Sequence, residues 1–231
     1  ELIDIMESLQ TRADSDEVLN TFFGIAAGFF LVALSITVPI YLINCLYEDR
    51  KSGNSLFWYS MPVSNAKTVL SKLVTGLLVM PLVTAATMLA LFLILLLIAA
   101  IYFTVQGASL PLELLLSALL DWTVTFTTGT VLLGLWLLPL YGWLLLVSAF
   151  ARAVPVFWAI ALIVVPSIFE RIVLGSSYLS TWLDSRGIPY QNFSFDLSEL
   201  TLSMLNYDMV YGLLLGCFFI TGAIYMRRFT D

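Results

Sequence analysis

Between two long apolar runs the chain carries EDRKSGNSLFWYSMPVSNAKTVLSK, residues 48–72. Its charged groups flank a tight aromatic stretch: Glu48, Asp49, Arg50 and Lys51 before it, Lys67 and Lys72 after it, with Leu56, Phe57, Trp58, Tyr59 and Met61 between. Large amphipathic side chains ringed by charge are typical anchors of protein interfaces. The chemistry that fits is recognition: a docking element, worked by a partner on the side where the lysines and arginines lie. An aromatic belt at the lipid headgroups also accounts for the aromatics. It does not account for a link as long as 46–69, nor for its two structured halves.

Other chemically capable groups are few. Asp121 and the pair Glu170–Arg171 are the only ionisable groups near apolar depth, where charge commonly faces protein or water and marks a pathway. Snorkelling at the interface explains the same three without any special role. Thr123, Thr125, Thr127, Thr128 and Thr130 can bond back to their own helix, the favoured reading, or line a polar path. Asp121, Thr125, Thr128, Glu170 and Arg171 are thus the candidate pathway set. Cys45 and Cys217 fall at or in apolar runs and suit neither a disulfide framework nor a metal site. The chain has no histidine, which removes the usual general base and the commonest metal ligand. It also lacks G-x-x-x-x-G-K-[ST], G-x-S-x-G and H-E-x-x-H runs and any basic tract suited to nucleic acid. Enzyme activity, a bound cofactor and a metal are therefore not expected of this chain.

The elements that would position these groups are membrane spans. Of 231 residues, 60% are hydrophobic and 11% charged, with mean hydropathy +0.97. A soluble domain of this length could not hide that much apolar surface. Five segments pass the crossing length of about 20 residues, near 21–45, 70–104, 114–149, 154–175 and 209–226. The second and third are over-long: 35 residues at about 1.5 Å each reach roughly 50 Å against a core of about 30 Å. One way out for the third is an interfacial helix over Leu112–Leu120 that turns inward at Asp121. The expected fold is an all-α, polytopic helix bundle forming a single transmembrane domain over 1–231. Because the first residue is Glu rather than Met, a span or a signal ahead of it is expected, and a span would bring the total to six.

Charge sets the sidedness. Arg50, Lys51, Lys67, Lys72, Arg152, Arg227 and Arg228 fall on one side, Arg12 and Arg186 on the other, with Arg171 near a span end. By the positive-inside rule the hairpin 46–69, the link 150–153 and the C-terminus are cytoplasmic. The acidic segment 1–20, the link 105–113 and the segment 176–208 face outward. Pro39, Pro81, Pro139 and Pro166 interrupt the apolar runs and favour kinks, either as ordinary irregularity or as hinges for rocking spans. Gly24 with Gly28, and Gly212 with Gly216, are small-xxx-small pairs, for packing within the subunit or against a second one.

Within the hairpin, Lys51-Ser52-Gly53-Asn54 is turn-like, and Leu56–Met61 fits a short amphipathic helix on the membrane surface that Pro62 breaks. Ser64 is a plausible N-cap for the helix leading through Lys67 and Lys72 into the second span. The run Glu48-x-Arg50-x-x-Gly53, Leu56, Pro62-Val63-Ser64, Lys67, Lys72 resembles the signature between the second and third spans of type-2 ATP-binding-cassette (ABC) permeases, the six-span membrane subunits of bacterial ABC exporters. It departs from that signature where Asp49 separates Glu48 from Arg50 and where Tyr59-Ser60-Met61 precedes the proline. The resemblance covers about 25 residues.

The resemblance implies a coupling helix seated in a groove of a separate ATPase subunit. Glu48, Arg50 and Gly53 would set the turn, Leu56 to Met61 would seat in the groove, and Lys67 and Lys72 would lie near the membrane surface. ATP and magnesium would bind in the ATPase, and a second permease subunit, like or unlike, would complete the assembly in the bacterial inner membrane. Cargo would leave the cytoplasm or the inner leaflet. The outer segment, with Trp182, Gly187, Pro189, Phe193 and Phe195 ahead of a capped start at Asp196–Glu199, would match the short outward helices that gate exit, or be a plain interfacial loop. A membrane scaffold without cargo is the alternative. A secondary transporter is a third, disfavoured because no deep carboxylate or histidine relay is present.

Overall fold

The computed structural model describes residues 2–51, 64–106, 112–178, 181 and 207–230. Among the described residues there are no strands and six long helices. They are α1 (Leu2–Lys51), α2 (Asn65–Val105), α3 (Leu112–Trp136), α4 (Leu138–Phe150), α5 (Pro155–Leu174) and α6 (Tyr207–Thr230). Five stretches are long and apolar enough to cross a membrane: Asn20–Lys51, Asn65–Val105, Leu115–Trp136, Pro155–Leu174 and Tyr207–Arg228. The chain is an integral membrane helix bundle.

The acidic segment before residue 20 is not a separate element. The described part of it continues α1 outward, so that α1 has 50 residues and is about 75 Å long. Ser64 caps α2 as the sequence indicates: it is extended (φ −72°, ψ 148°) and its hydroxyl accepts from the Lys67 N–H, filling one of the orphan donors of a first turn.

Proline shapes three of the helices. Pro81 offers no N–H to Leu77. The preceding turn, Thr75–Val79, widens to a π-turn in which the Met80 N–H reaches back five residues to the Thr75 carbonyl, a common way to absorb such a mismatch. Pro139 breaks the third span at Leu137 (φ −84°, ψ 8°). The bonds from Leu137 N–H to the Leu133 carbonyl and from Tyr141 N–H to the Leu137 carbonyl survive on either side. An inward turn at Asp121 is not found. The α3 helix runs straight through that residue, which keeps its backbone donor, and the bend falls where a donor is missing. In α5, Pro155 opens the helix, Pro166 lies inside it, and a π-turn over Glu170–Leu174 ends at Gly175 in the left-handed region (φ +62°), a conformation that glycine adopts without penalty.

Two hydrogen bonds fix how α1 and the bent α3–α4 pair run together. Trp122 Nε1 donates to the Asn20 side chain at 3.2 Å, and the Leu46 N–H donates to the Ser148 hydroxyl at 3.1 Å. Both pairs are 102 residues apart in sequence. The two strings therefore advance in step over the same depth, and α3–α4 crosses as one bent span parallel to α1. Likewise α6 runs alongside α4, with Gly216 against Leu138 and Gly222 against Leu146. The C-terminal ends of α1, α4 and α6 consequently share one end of the bundle with the start of α2. That end holds Arg50, Lys51, Lys67, Lys72, Arg152, Arg227 and Arg228, and is called the basic end below.

The core is divided by depth. Near the basic end, Val38, Leu42, Val69, Leu145, Val147 and Ala223 are buried together from α1, α2, α4 and α6. Toward the other end, Phe23, Ala27, Met88, Phe92 and Phe126 join α1, α2 and α3, with Phe23 and Phe92 edge to face at 4.7 Å. A third small cluster joins Leu133 and Trp136 to Met209. The closest helix approach is between α4 and α6. A methyl group on Gly142 would stand 2.8 Å from the Gly216 carbonyl oxygen, and one on Gly216 would stand 3.0 Å from the Leu138 backbone. The α5 helix is the least packed, burying only Pro155 and Ala159 in its α-helical part.

Candidate functional site

The hairpin singled out in the sequence leaves the bundle at its basic end. On its first side the helix claims more of it than the sequence suggests, since α1 persists to Lys51, whereas α2 begins at Asn65, just after the expected cap at Ser64. Glu48 and Arg50 therefore stand in the last turns of α1 rather than in a turn. After Pro39 no proline or glycine falls before Gly53, and Arg50 and Lys51 complement the negative end of the helix dipole. Gly53, Leu56, Phe57, Trp58, Tyr59, Met61 and Pro62 lie outside the described residues, as do most residues of the outer segment 176–208.

The described ends of the hairpin are fastened to the bundle. Arg50 Nη2 donates to the Ser148 carbonyl at 2.6 Å and to the Ala151 carbonyl at 3.0 Å. These carbonyls sit at the C-terminal end of α4, where helix acceptors lack partners and a guanidinium complements the dipole. The Ser148 hydroxyl, fully buried, accepts from the Leu46 and Tyr47 N–H groups at 3.1 Å each. Asp49 pairs with Lys72 across the hairpin, Nζ to Oδ2 at 3.3 Å and to Oδ1 at 3.4 Å. Lys51 lies over the Tyr47 ring, 5.9 Å from its centre, in cation–π range. Arg227, in the last turn of α6, is buried, although ammonium and guanidinium groups are rarely so.

Asp49 and Ser148 carry this arrangement together with Arg50 and Lys72, and the sequence pattern assigns a role to neither of the first two. In the type-2 pattern Asp49 is an interruption between Glu48 and Arg50. Its signal was a carboxylate and a lysine at the two mouths of one hairpin. Ser148 offered a weaker signal, a small hydroxyl residue near the end of an otherwise apolar run.

The candidate pathway residues do not meet. Asp121, Thr125 and Thr128 share one stripe of α3 at spacings of four and three residues. Asp121 and Thr128 are exposed and Thr125 half-buried. The Thr128 hydroxyl donates to the Val124 carbonyl, and Thr123, Thr127 and Thr130 bond back to their helix in the same way. Glu170 and Arg171 stand in the π-turn at the far end of α5. The Glu170 carboxylate accepts from the Ser176 hydroxyl at 2.9 Å and the Tyr178 N–H at 2.6 Å, and so anchors the chain leaving that helix. Arg171 is exposed. The α3 and α5 helices do not pack extensively against each other, so the two groups stay apart.

Among the described residues no group of His, Cys, Asp or Glu could hold a metal ion. The chain matches no family model, no curated protein and no solved structure.

Proposed function

We propose that this chain is the permease subunit of an ABC exporter, moving a substrate out of the cytoplasm or inner leaflet with energy from ATP hydrolysis in separate ATPase subunits. In this reading it sits in the bacterial inner membrane with its basic end and C-terminus cytoplasmic. ATP and magnesium stay in the ATPase, and a second permease subunit completes the assembly. The type-2 signature motivates the reading. The observation that supports it best is the fastening of both hairpin ends: Arg50 to the end of α4 and Asp49 to Lys72 at the start of α2. A displacement of the hairpin would act through these joints on the helices that they fasten. It moves α1, α2 and α4 together, as a coupling element must.

Replacing Phe57, Trp58 and Tyr59 by Ala is expected to release the ATPase in a detergent pull-down while the membrane part elutes as a folded species. Full retention of the ATPase would count against the assignment.

A second reading, a scaffold or assembly subunit of an ABC-like complex without its own cargo, draws on one observation: Asp121 and the Glu170–Arg171 pair are not brought together. In that case the ATPase would still bind the hairpin, yet closing the α1–α4 joint with an engineered disulfide would leave export by the whole complex unchanged.

A further inference from the structure

A cavity of about 720 Å³ lies inside the bundle, within the roughly 300–1,000 Å³ of small-molecule sites. Its wall draws on all six helices at mid-span, including residues 31–39 of α1, 162–166 of α5 and 215–219 of α6. Pro39, Pro81, Pro139 and Pro166, from four different helices, all line it. Each proline deprives a carbonyl four residues earlier of its regular donor, at Ser35, Leu77, Leu135 and Leu162. Three of those four residues also line the cavity. The prolines therefore do more than kink single helices: together they hold open a common space and leave backbone acceptors beside it.

No carboxylate, ammonium or guanidinium group lines this space. Most of its polar side chains are already engaged. Ser35 donates to the Val32 carbonyl, Thr130 to the Phe126 carbonyl and Trp143 to the Ala159 carbonyl. Tyr141 differs. It is 7% exposed, lines the cavity, and its phenol is not held by a bond to a helix carbonyl as Ser35, Thr130 and Trp143 are. A phenol facing an apolar space gains from a ligand that brings it a polar partner. An apolar cavity left empty forfeits the dispersion contacts of its whole lining. Leu140 and Leu162 are exposed as well as lining, so the space is reached from an apolar surface, where acyl chains are the surrounding medium.

We infer that this cavity binds a neutral aliphatic molecule from the bilayer, its chain packed among the four prolines and its single polar group, a hydroxyl or carbonyl, bonded to the Tyr141 phenol. A charged group would be excluded, because nothing in the wall could pair with it. The site holds whether or not an ATPase docks at the basic end.

The test is photolabelling of the full chain in phosphatidylcholine vesicles, with adducts mapped by mass spectrometry. One arm carries a diazirine at mid-chain in phosphatidylcholine, the other a diazirine in a long-chain fatty alcohol. Adducts are expected on the segments 137–143 and 215–219, in addition to lipid-facing adducts on α5 around Phe157. Inner labelling in the second arm is the expected result, whereas inner labelling in the first arm alone would overturn the neutral occupant, because phosphatidylcholine carries a charged headgroup. Ser35→Phe should fill the space and cut the inner adducts about tenfold while leaving those on α5 unchanged. Leu162→Trp serves the same purpose from the opposite wall if the first variant fails to elute as a folded species. Tyr141→Phe keeps the shape and should lower inner labelling by the alcohol about fivefold, the loss of one hydrogen bond. Unlabelled inner segments in both arms, or equal labelling in the filled variants, would overturn the site. Unchanged alcohol labelling in Tyr141→Phe would overturn the phenol as its polar contact.

Discussion

Arg50 shows how one side chain can serve two readings. As part of the type-2 signature it helps set a turn. In the structure it reaches 98 to 101 residues along the chain to the last carbonyls of α4. Hydrogen bonds to charged groups contribute about 1.5–3 kcal/mol, and these are partly buried. Arg50→Ala should accordingly lower the unfolding free energy in detergent by about that amount, whereas Arg50→Lys, which lacks the planar fork, should recover only part of it. Thermal unfolding followed by circular dichroism gives the answer, and an unchanged midpoint in Arg50→Ala would show the contact to be inconsequential. Glycines supply a second comparison at this scale. Gly216→Ala places a methyl group 3.0 Å from the Leu138 backbone, which must part α4 from α6 at a cost of about 1–3 kcal/mol. Gly28→Ala meets nothing within 4 Å and should be neutral or slightly stabilising, since alanine is the better helix former. Equal midpoints for the two variants would contradict the packing described.

At the scale of elements, the small-xxx-small pairs resolve unequally. Gly216 is a close contact within the subunit, and its partner in α4 is Gly142, which no local pattern marks. Gly24 touches Trp122 at ordinary distance, and Gly28 faces open space. The threonines of α3 follow the expected backbone bonding at 123, 127, 128 and 130. Such local interactions are readable from sequence, because donor and acceptor are three or four residues apart. The hairpin boundaries are read less well. Helix α1 outlasts its apolar run by several charged residues, since burial at Leu46 and the bonds of Arg50 to the end of α4 support the turns beyond it.

At the scale of the molecule, five crossings put the ends of α1, α4 and α6 together with seven of the ten lysines and arginines. If that basic end is cytoplasmic, a cysteine introduced as Ser55→Cys should react with a membrane-impermeant thiol reagent only when the cytoplasmic face is accessible. Cys45, which is buried, should stay silent, and exposed Cys217 is replaced by serine as a control. Labelling from the opposite side would invert the topology and remove the hairpin from the reach of a cytoplasmic ATPase. Exposed apolar side chains along α1, α2 and α5, such as Phe29, Leu97 and Val165, mark the broad surface that lipid or a second subunit must cover.

The number of crossings, the all-helical class, the cap at Ser64 and the segregation of charge follow from the sequence alone. Bilayer thickness fixes span length, a helix satisfies its own backbone, and capping acts within one turn. Only the tertiary structure decided that the third span bends at Leu137 rather than at Asp121, that Asp49 answers Lys72, that Arg50 and Ser148 lock α1 to α4, and that four prolines from separate helices border one cavity. Those outcomes depend on which faces of distant helices meet. An apolar run that is hydrophobic all round carries no periodic signal of which face turns inward.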